Sequence, residues 1–177
     1  DFYTENQHTR DNPHDELAPS MSALVIKSHV KEGVALGRQF KLPQCVIDAI
    51  EQHHGTSLVS FFFHRARQLQ EDGKNDTEVN EADYRYEGPR PRSREMAILA
   101  LADAVEAAAR SLEKPNPARI EALVNEVADS RLRDGQLDAS GMTLTELAAV
   151  KTSFVFSLAN MLHVRIAYPQ DEAKCNP

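Results

Sequence analysis

Two adjacent imidazoles, His53 and His54, close a short apolar segment just before Gly55. Positions 46, 47, 50 and 54 step by one, three and four residues, so on a helix His54 continues the stripe of Val46, Ile47 and Ile50. His53 lies about 100° further round and borders the same stripe. Inward-facing imidazoles cost free energy unless each ring nitrogen has a partner. A divalent transition metal would satisfy both, because neutral imidazole ligates zinc, iron and manganese. The competing reading leaves them exposed at a helix C-terminus, where positive charge is mildly favoured. His29 follows Leu24, Val25 and Ile26, and reads either as a third ligand or as a hydrogen-bonded boundary residue.

Asp103 supplies a carboxylate. It is the only charged residue between Met96 and Val105, in Met-Ala-Ile-Leu-Ala-Leu-Ala-Asp-Ala-Val. Aspartate is a poor helix former and its burial as an ion requires a cation, so this position predicts a buried, functional Asp103. The alternative places it on a narrow solvent face with Glu95, Glu106 and Arg110. One carboxylate with three imidazoles suits iron, manganese or zinc rather than magnesium or calcium. His14-Asp15 is a literal His-Asp dipeptide, but it follows Asn12-Pro13 in a polar stretch and reads as turn or cap. Arg85, Arg90, Arg92 and Arg94 could grip phosphates through bidentate guanidinium contacts. They could equally form a solvated extended segment that balances the acidic run before it. His8 and His64 have no supporting pattern.

Apolar spacings of three and four, with only seven glycines, predict an all-α domain of about six helices to position these groups. The first runs from near Ser20 to about Phe40, its later turns weakened by Gly33 and Gly37. Pro43 opens a second, short helix that ends at His53-His54, with Gly55 as its stop. A third spans about Ser57 to Glu71 and carries Phe61, Phe62 and Phe63. Residues 72–92 read as a long loop without a helix of its own, closing in Gly88-Pro89-Arg90-Pro91-Arg92. The fourth helix covers about Ser93 to Glu113. Pro115 and Pro117 break the chain, and Asn116 caps a fifth helix to about Arg133. Thr143 and Glu146 form a capping box for the sixth, which ends near Tyr168-Pro169.

The chain has 177 residues, 41% of them hydrophobic, which fits one folded domain over 1–177. A net charge of −7 disfavours nonspecific binding to nucleic acid or an anionic membrane. No apolar run reaches the roughly 18 residues that span a bilayer, and the first residues lack the basic and apolar regions of a signal peptide. The missing initiating Met predicts a segment of a longer protein. Cys45 and Cys175 are too few for a disulfide framework and point to a reducing, cytoplasmic setting.

Six segments fall in an order that resembles one family. They are Glu-Asn-Gln at 5–7, Asn-Pro-His-Asp at 12–15 and Ser-His-Val-Lys-Glu-Gly at 28–33. Leu-Pro-x-x-Val-Ile-Asp-x-Ile-Glu-Gln-His-His-Gly-Thr follows at 42–56, then Tyr-Arg-Tyr-x-Gly-Pro-x-Pro at 84–91 and Leu-Ala-Asp-Ala-Val-Glu-Ala at 101–107. From about Phe2 to Pro169 the chain resembles the cytoplasmic HD domain of the seven-transmembrane HD receptors, phosphodiesterases that hydrolyse cyclic di-AMP to the linear dinucleotide pApA.

The resemblance implies an HD-domain helical bundle with a site for two divalent transition metals, iron or manganese, that activate a water. It implies His29, His53, His54 and Asp103 as metal ligands, with no catalytic residue separate from them. The family's first His and its His-Asp pair lie before the Glu-Asn-Gln segment, so these ligands are absent here and the chain alone is expected to lack part of the site. His14-Asp15 matches a different segment and does not replace the pair. Arg85, Arg90, Arg92 and Arg165 are the expected phosphate or adenine contacts, with Tyr84 and Tyr86 as stacking surfaces. The implied partner is a cyclic dinucleotide rather than a nucleic-acid polymer. The implied setting is the cytoplasmic domain of a bacterial inner-membrane protein anchored through segments outside this chain, and a homodimer is compatible with it. The alternative is a metal-free, catalytically inactive HD-like adapter or nucleotide sensor, in which the same four residues form a polar network.

Overall fold

The computed structural model describes residues 14–74 and 78–164. The expected turn at Asn12-Pro13, His8, Arg165, Cys175 and the helix end at Tyr168-Pro169 lie outside them. The described residues form six α-helices and a single 3-10 turn. Helix α1 (Pro19–Gln39) starts with its proline in the first turn, where the missing N–H has no partner to lose. It runs unbroken through Gly33 and Gly37, which face Ile47 and Ile50 and let α2 (Gln44–Gln52) approach. A Cβ on Gly33 would stand 2.8 Å from Ile50 Cγ2. Pro43 precedes α2 as its cap, its carbonyl accepting the Val46 and Ile47 amides at 2.9 and 3.2 Å. Gly55 stops the helix in the left-handed region at φ +55°, as expected.

Helix α3 (Ser60–Glu71) begins three residues later than the sequence predicts. Residues 57–59 are drawn instead into a short antiparallel pairing. Val59 donates to the Tyr84 carbonyl at 2.8 Å and the Tyr86 amide donates to Ser57 at 3.0 Å. The partner strand follows a 3-10 turn at Glu81–Tyr84, capped by the Asn80 side chain, inside the segment expected to lack any helix. Helix α4 (Arg94–Ala109) ends four residues short of the expected Glu113. Lys114, just before Pro115, sits at φ +50°, off the helical path. Asn116 caps α5 (Pro117–Arg133) by accepting the Arg119 amide at 3.0 Å. Thr143 and Glu146 cap α6 (Leu144–Val164) reciprocally, at 2.8 and 3.2 Å.

The core divides in two. Ala23 and Ile26 of α1, Phe62, Phe63 and Ala66 of α3, and Val59, Tyr84 and Tyr86 make one cluster. Helices α4, α5 and α6 enclose the other, around Ala97, Leu101 and Leu147 and on to Val105, Val124 and Leu158. Helix α2 lies between the two, packed on both α1 and α4. His14 is fully buried with its ring 5.2 Å from Phe62, so it sits in the core rather than serving only as a turn residue.

Candidate metal centre

Where α2 meets α1, three imidazoles converge. His29 comes from the middle of α1, His53 caps α2, and His54 lies on the turn that Gly55 closes. The Nδ1 of His29 lies 2.5 Å from the Ile26 carbonyl, and that of His53 lies 2.8 Å from the Ile50 carbonyl. A carbonyl oxygen only accepts, so both Nδ1 atoms carry the proton and both Nε2 atoms present a lone pair. Those two Nε2 atoms stand 3.3 Å apart, and His54 Nε2 stands 3.1 Å from that of His29. The lone pairs of His29 and His53 face each other with no proton between them, an arrangement that a shared cation satisfies. With metal–nitrogen bonds of about 2.1 Å, neighbouring ligand nitrogens lie roughly 3.0 Å apart on an octahedron and 3.4 Å on a tetrahedron. The trio fits one metal ion, and its ligand atoms all lie within 4.8 Å of one another.

Burial keeps His29 and His54 in the neutral form a metal needs. It pushes the His54 pKa down to about 2, helped by His53, His29 and the nearby Arg131. Burial also lowers that of His29, outweighing the Ile26 carbonyl and Asp103, which favour its charged form. The His54 ring is stacked on Tyr86 with centroids 4.2 Å apart.

Asp103 is not buried as expected. Its side chain is 44% exposed, against 19% for His54. The buried stripe of α4 is Ala97, Leu101, Val105 and Ala109, whereas Asp103 follows the exposed Leu99 by one turn. An apolar run therefore does not imply burial all round. Its carboxylate lies 3.5 Å from His54 Nδ1, next to the trio but outside the group that can share one ion. His64 is exposed on α3, apart from the site.

The expected substrate contacts fare differently. Arg85 is committed to the protein itself: it holds Asp134 through two hydrogen bonds of 2.8 and 3.0 Å, Glu81 at 2.8 Å and the Thr56 carbonyl at 2.9 Å. Arg90 donates to the Thr56 hydroxyl at 3.1 Å. Arg92 has an exposed side chain, and its backbone amide donates to Gln52. Tyr84 is buried against Phe63 and offers no stacking face. Tyr86 is also buried but borders an open cavity of about 610 Å³ beside His54. Helix α1 lines that cavity with Lys27, Lys31 and Arg38 among Leu24, Val30 and Val34, and Glu51 and Glu87 line it too, Glu87 paired with Lys31 at 2.7 Å. Sequence reasoning missed these cations, although positions 24, 27, 31, 34 and 38 share one helical face. A mixed basic and apolar stripe next to His29 was the available signal.

Residues 6–108 match the family model described as HD domain. The chain is 42% identical over 173 residues to the cyclic-di-AMP phosphodiesterase PgpH of Bacillus subtilis, covering 98% of this chain and 24% of that protein. It is 37% identical to PgpH of Listeria monocytogenes, covering 97% and 23%. The crystal structure of the L. monocytogenes PgpH HD domain superposes with a TM-score of 0.81 at 36% identity, over 92% of this chain and 73% of that one. The same domain in complex with cyclic-di-AMP gives a TM-score of 0.80. The chain thus spans about a quarter of the length of the curated relatives it matches. All three converging histidines and Asp103 fall inside the matched segment, and the chain belongs to the HD-domain family.

Proposed function

We propose that this chain is the HD domain of a metal-dependent phosphodiesterase that hydrolyses cyclic di-AMP to pApA. The convergence of three Nε2 atoms, that of His29 lying 3.3 Å from His53 and 3.1 Å from His54, carries the reading; similarity to PgpH supplies the substrate. His29, His53 and His54 hold one ion, and Asp103 ligates a second together with a His and a His-Asp pair from outside residues 1–177. Iron or manganese suits this mixed set of imidazole and carboxylate. Bound metals of this kind polarise a phosphoryl oxygen and lower the pKa of water.

The protein's own residues do the rest. Lys27, Lys31 and Arg38 line the α1 wall, where Lys31 pairs with Glu87 and Lys27 donates to the Asp83 carbonyl, and they add positive charge there beside Arg85 and Arg90 for a phosphate. Leu24, Val30 and Val34 offer apolar surface to an adenine. Tyr86 braces the His54 ring from behind. In the whole protein the domain lies on the cytoplasmic side of a bacterial inner membrane. Elemental analysis of a version extended upstream, with its His54→Ala form, tests this reading. About two iron or manganese per chain, depleted by the substitution and accompanied by pApA formation, are expected. No bound metal after purification without chelators and with metal resupplied would leave the adapter alternative instead.

A further inference from the structure

We infer that Gln136 is a positioning residue for the His53-His54 ligand pair, acting through Thr56. The inference rests on the metal reading proposed above. Gln136 follows Gly135 on the turn after α5, outside the segment that matches the HD-domain model. It is 3% exposed. Its side-chain oxygen accepts the Thr56 amide at 2.9 Å, and its nitrogen donates to the Thr56 hydroxyl at 3.0 Å and to Asp134 at 2.8 Å. Asp134 in turn holds Arg85, which donates to the Thr56 carbonyl. All three polar groups of Thr56, two residues beyond His54, are therefore held by one half-buried network centred on Gln136.

The approach is close. A Cβ on Gly55 would stand 2.5 Å from the Gln136 oxygen, so the turn carrying His54 is moulded to that side chain. On the other side of the pair, Gln52 accepts the Arg92 amide at 2.9 Å. His53 and His54 are held between two buried glutamines. Only Gln136 comes from the far helices, across 80 residues of sequence. Partners that orient metal ligands typically change metal affinity by about 10- to 100-fold when removed.

Cobalt(II) titration followed by visible absorption tests this on the whole chain, comparing wild type with Gln136→Leu, Thr56→Val, Thr56→Ser and Ile120→Val. Gln136→Leu and Thr56→Val are expected to bind cobalt about tenfold more weakly, with an altered absorption band. Thr56→Ser, which keeps the hydroxyl, and Ile120→Val, a buried change elsewhere in α5, are expected to bind like wild type. Wild-type affinity and spectrum in Gln136→Leu would overturn the inference, and Thr56→Val carries the same comparison if Gln136→Leu does not fold. Should wild type itself take up no cobalt, the metal reading fails, and the imidazole nitrogen resonances of the metal-free proteins decide on the clamp. Shifts at His53 and His54 with His29 unmoved would uphold it, and unchanged resonances would overturn it.

Discussion

A histidine offers a cation only a lone pair, so the site depends on which nitrogen keeps its proton. The carbonyls of Ile26 and Ile50, each three residues before its histidine, settle that for His29 and His53 through the helix geometry itself. The sequence singled out the three histidines, but which nitrogen keeps its proton only the fold showed. The fate of the charged residues was not legible either. Arg85 looked like a phosphate contact from its basic neighbours, yet its partner Asp134 lies 49 residues away. That pair has a pH signature. Burial pushes the Asp134 carboxyl up, but hydrogen bonds from Arg85 and Gln136 and the Arg85 charge outweigh it and hold the pKa below its ordinary value of 3.8. Its stabilisation is therefore present above that value and is lost as pH falls through the lower folded-state pKa. Asp134→Asn is expected to lose about 1–2 kcal/mol in urea denaturation at pH 7. The gap from wild type should narrow below about pH 4, as protonation removes the charge from the wild type as well.

At the scale of elements, the sequence placed five helix starts well, three of them because side-chain caps are local. Ser93, Asn116 and the Thr143–Glu146 box each act within three residues. The start of α3 escaped, since Ser57 and Val59 are claimed by a strand about 27 residues on, and only the tertiary fold brings that strand near. The glycines of α1 mislead in the same way: propensity marks them as weak points, while packing makes Gly33 the place where Ile50 fits. Gly33→Val is expected to destabilise the domain by about 1–3 kcal/mol through overpacking, measured as a lowered denaturant midpoint. A helix limited by propensity alone would lose only a few tenths of that or gain stability. The change should also weaken metal binding, because it pries α1, and His29 with it, from α2.

For the molecule as a whole, the two cores meet at the candidate metal site. His29 belongs to the α1–α3 half, Asp103 and the Gln136 network to the α4–α6 half, and His53 and His54 stand on α2 between them. Without a cation, the facing Nε2 lone pairs of His29 and His53, 3.3 Å apart, oppose this docking. An ion that binds only the assembled halves must therefore stabilise the fold by mass action, about 2.7 kcal/mol at a free concentration 100 times its dissociation constant. For a chain of this size each kcal/mol raises the melting temperature by roughly 2–4 °C. Adding manganese to chelator-stripped protein is thus expected to raise Tm by about 5–10 °C, and chelator should reverse it. In His29→Ala the response should vanish, although the metal-free Tm should stay level or rise, because one of the crowded acceptors is gone. A metal-free adapter would show the opposite: no manganese response in wild type, and a lowered Tm on losing a member of its polar network.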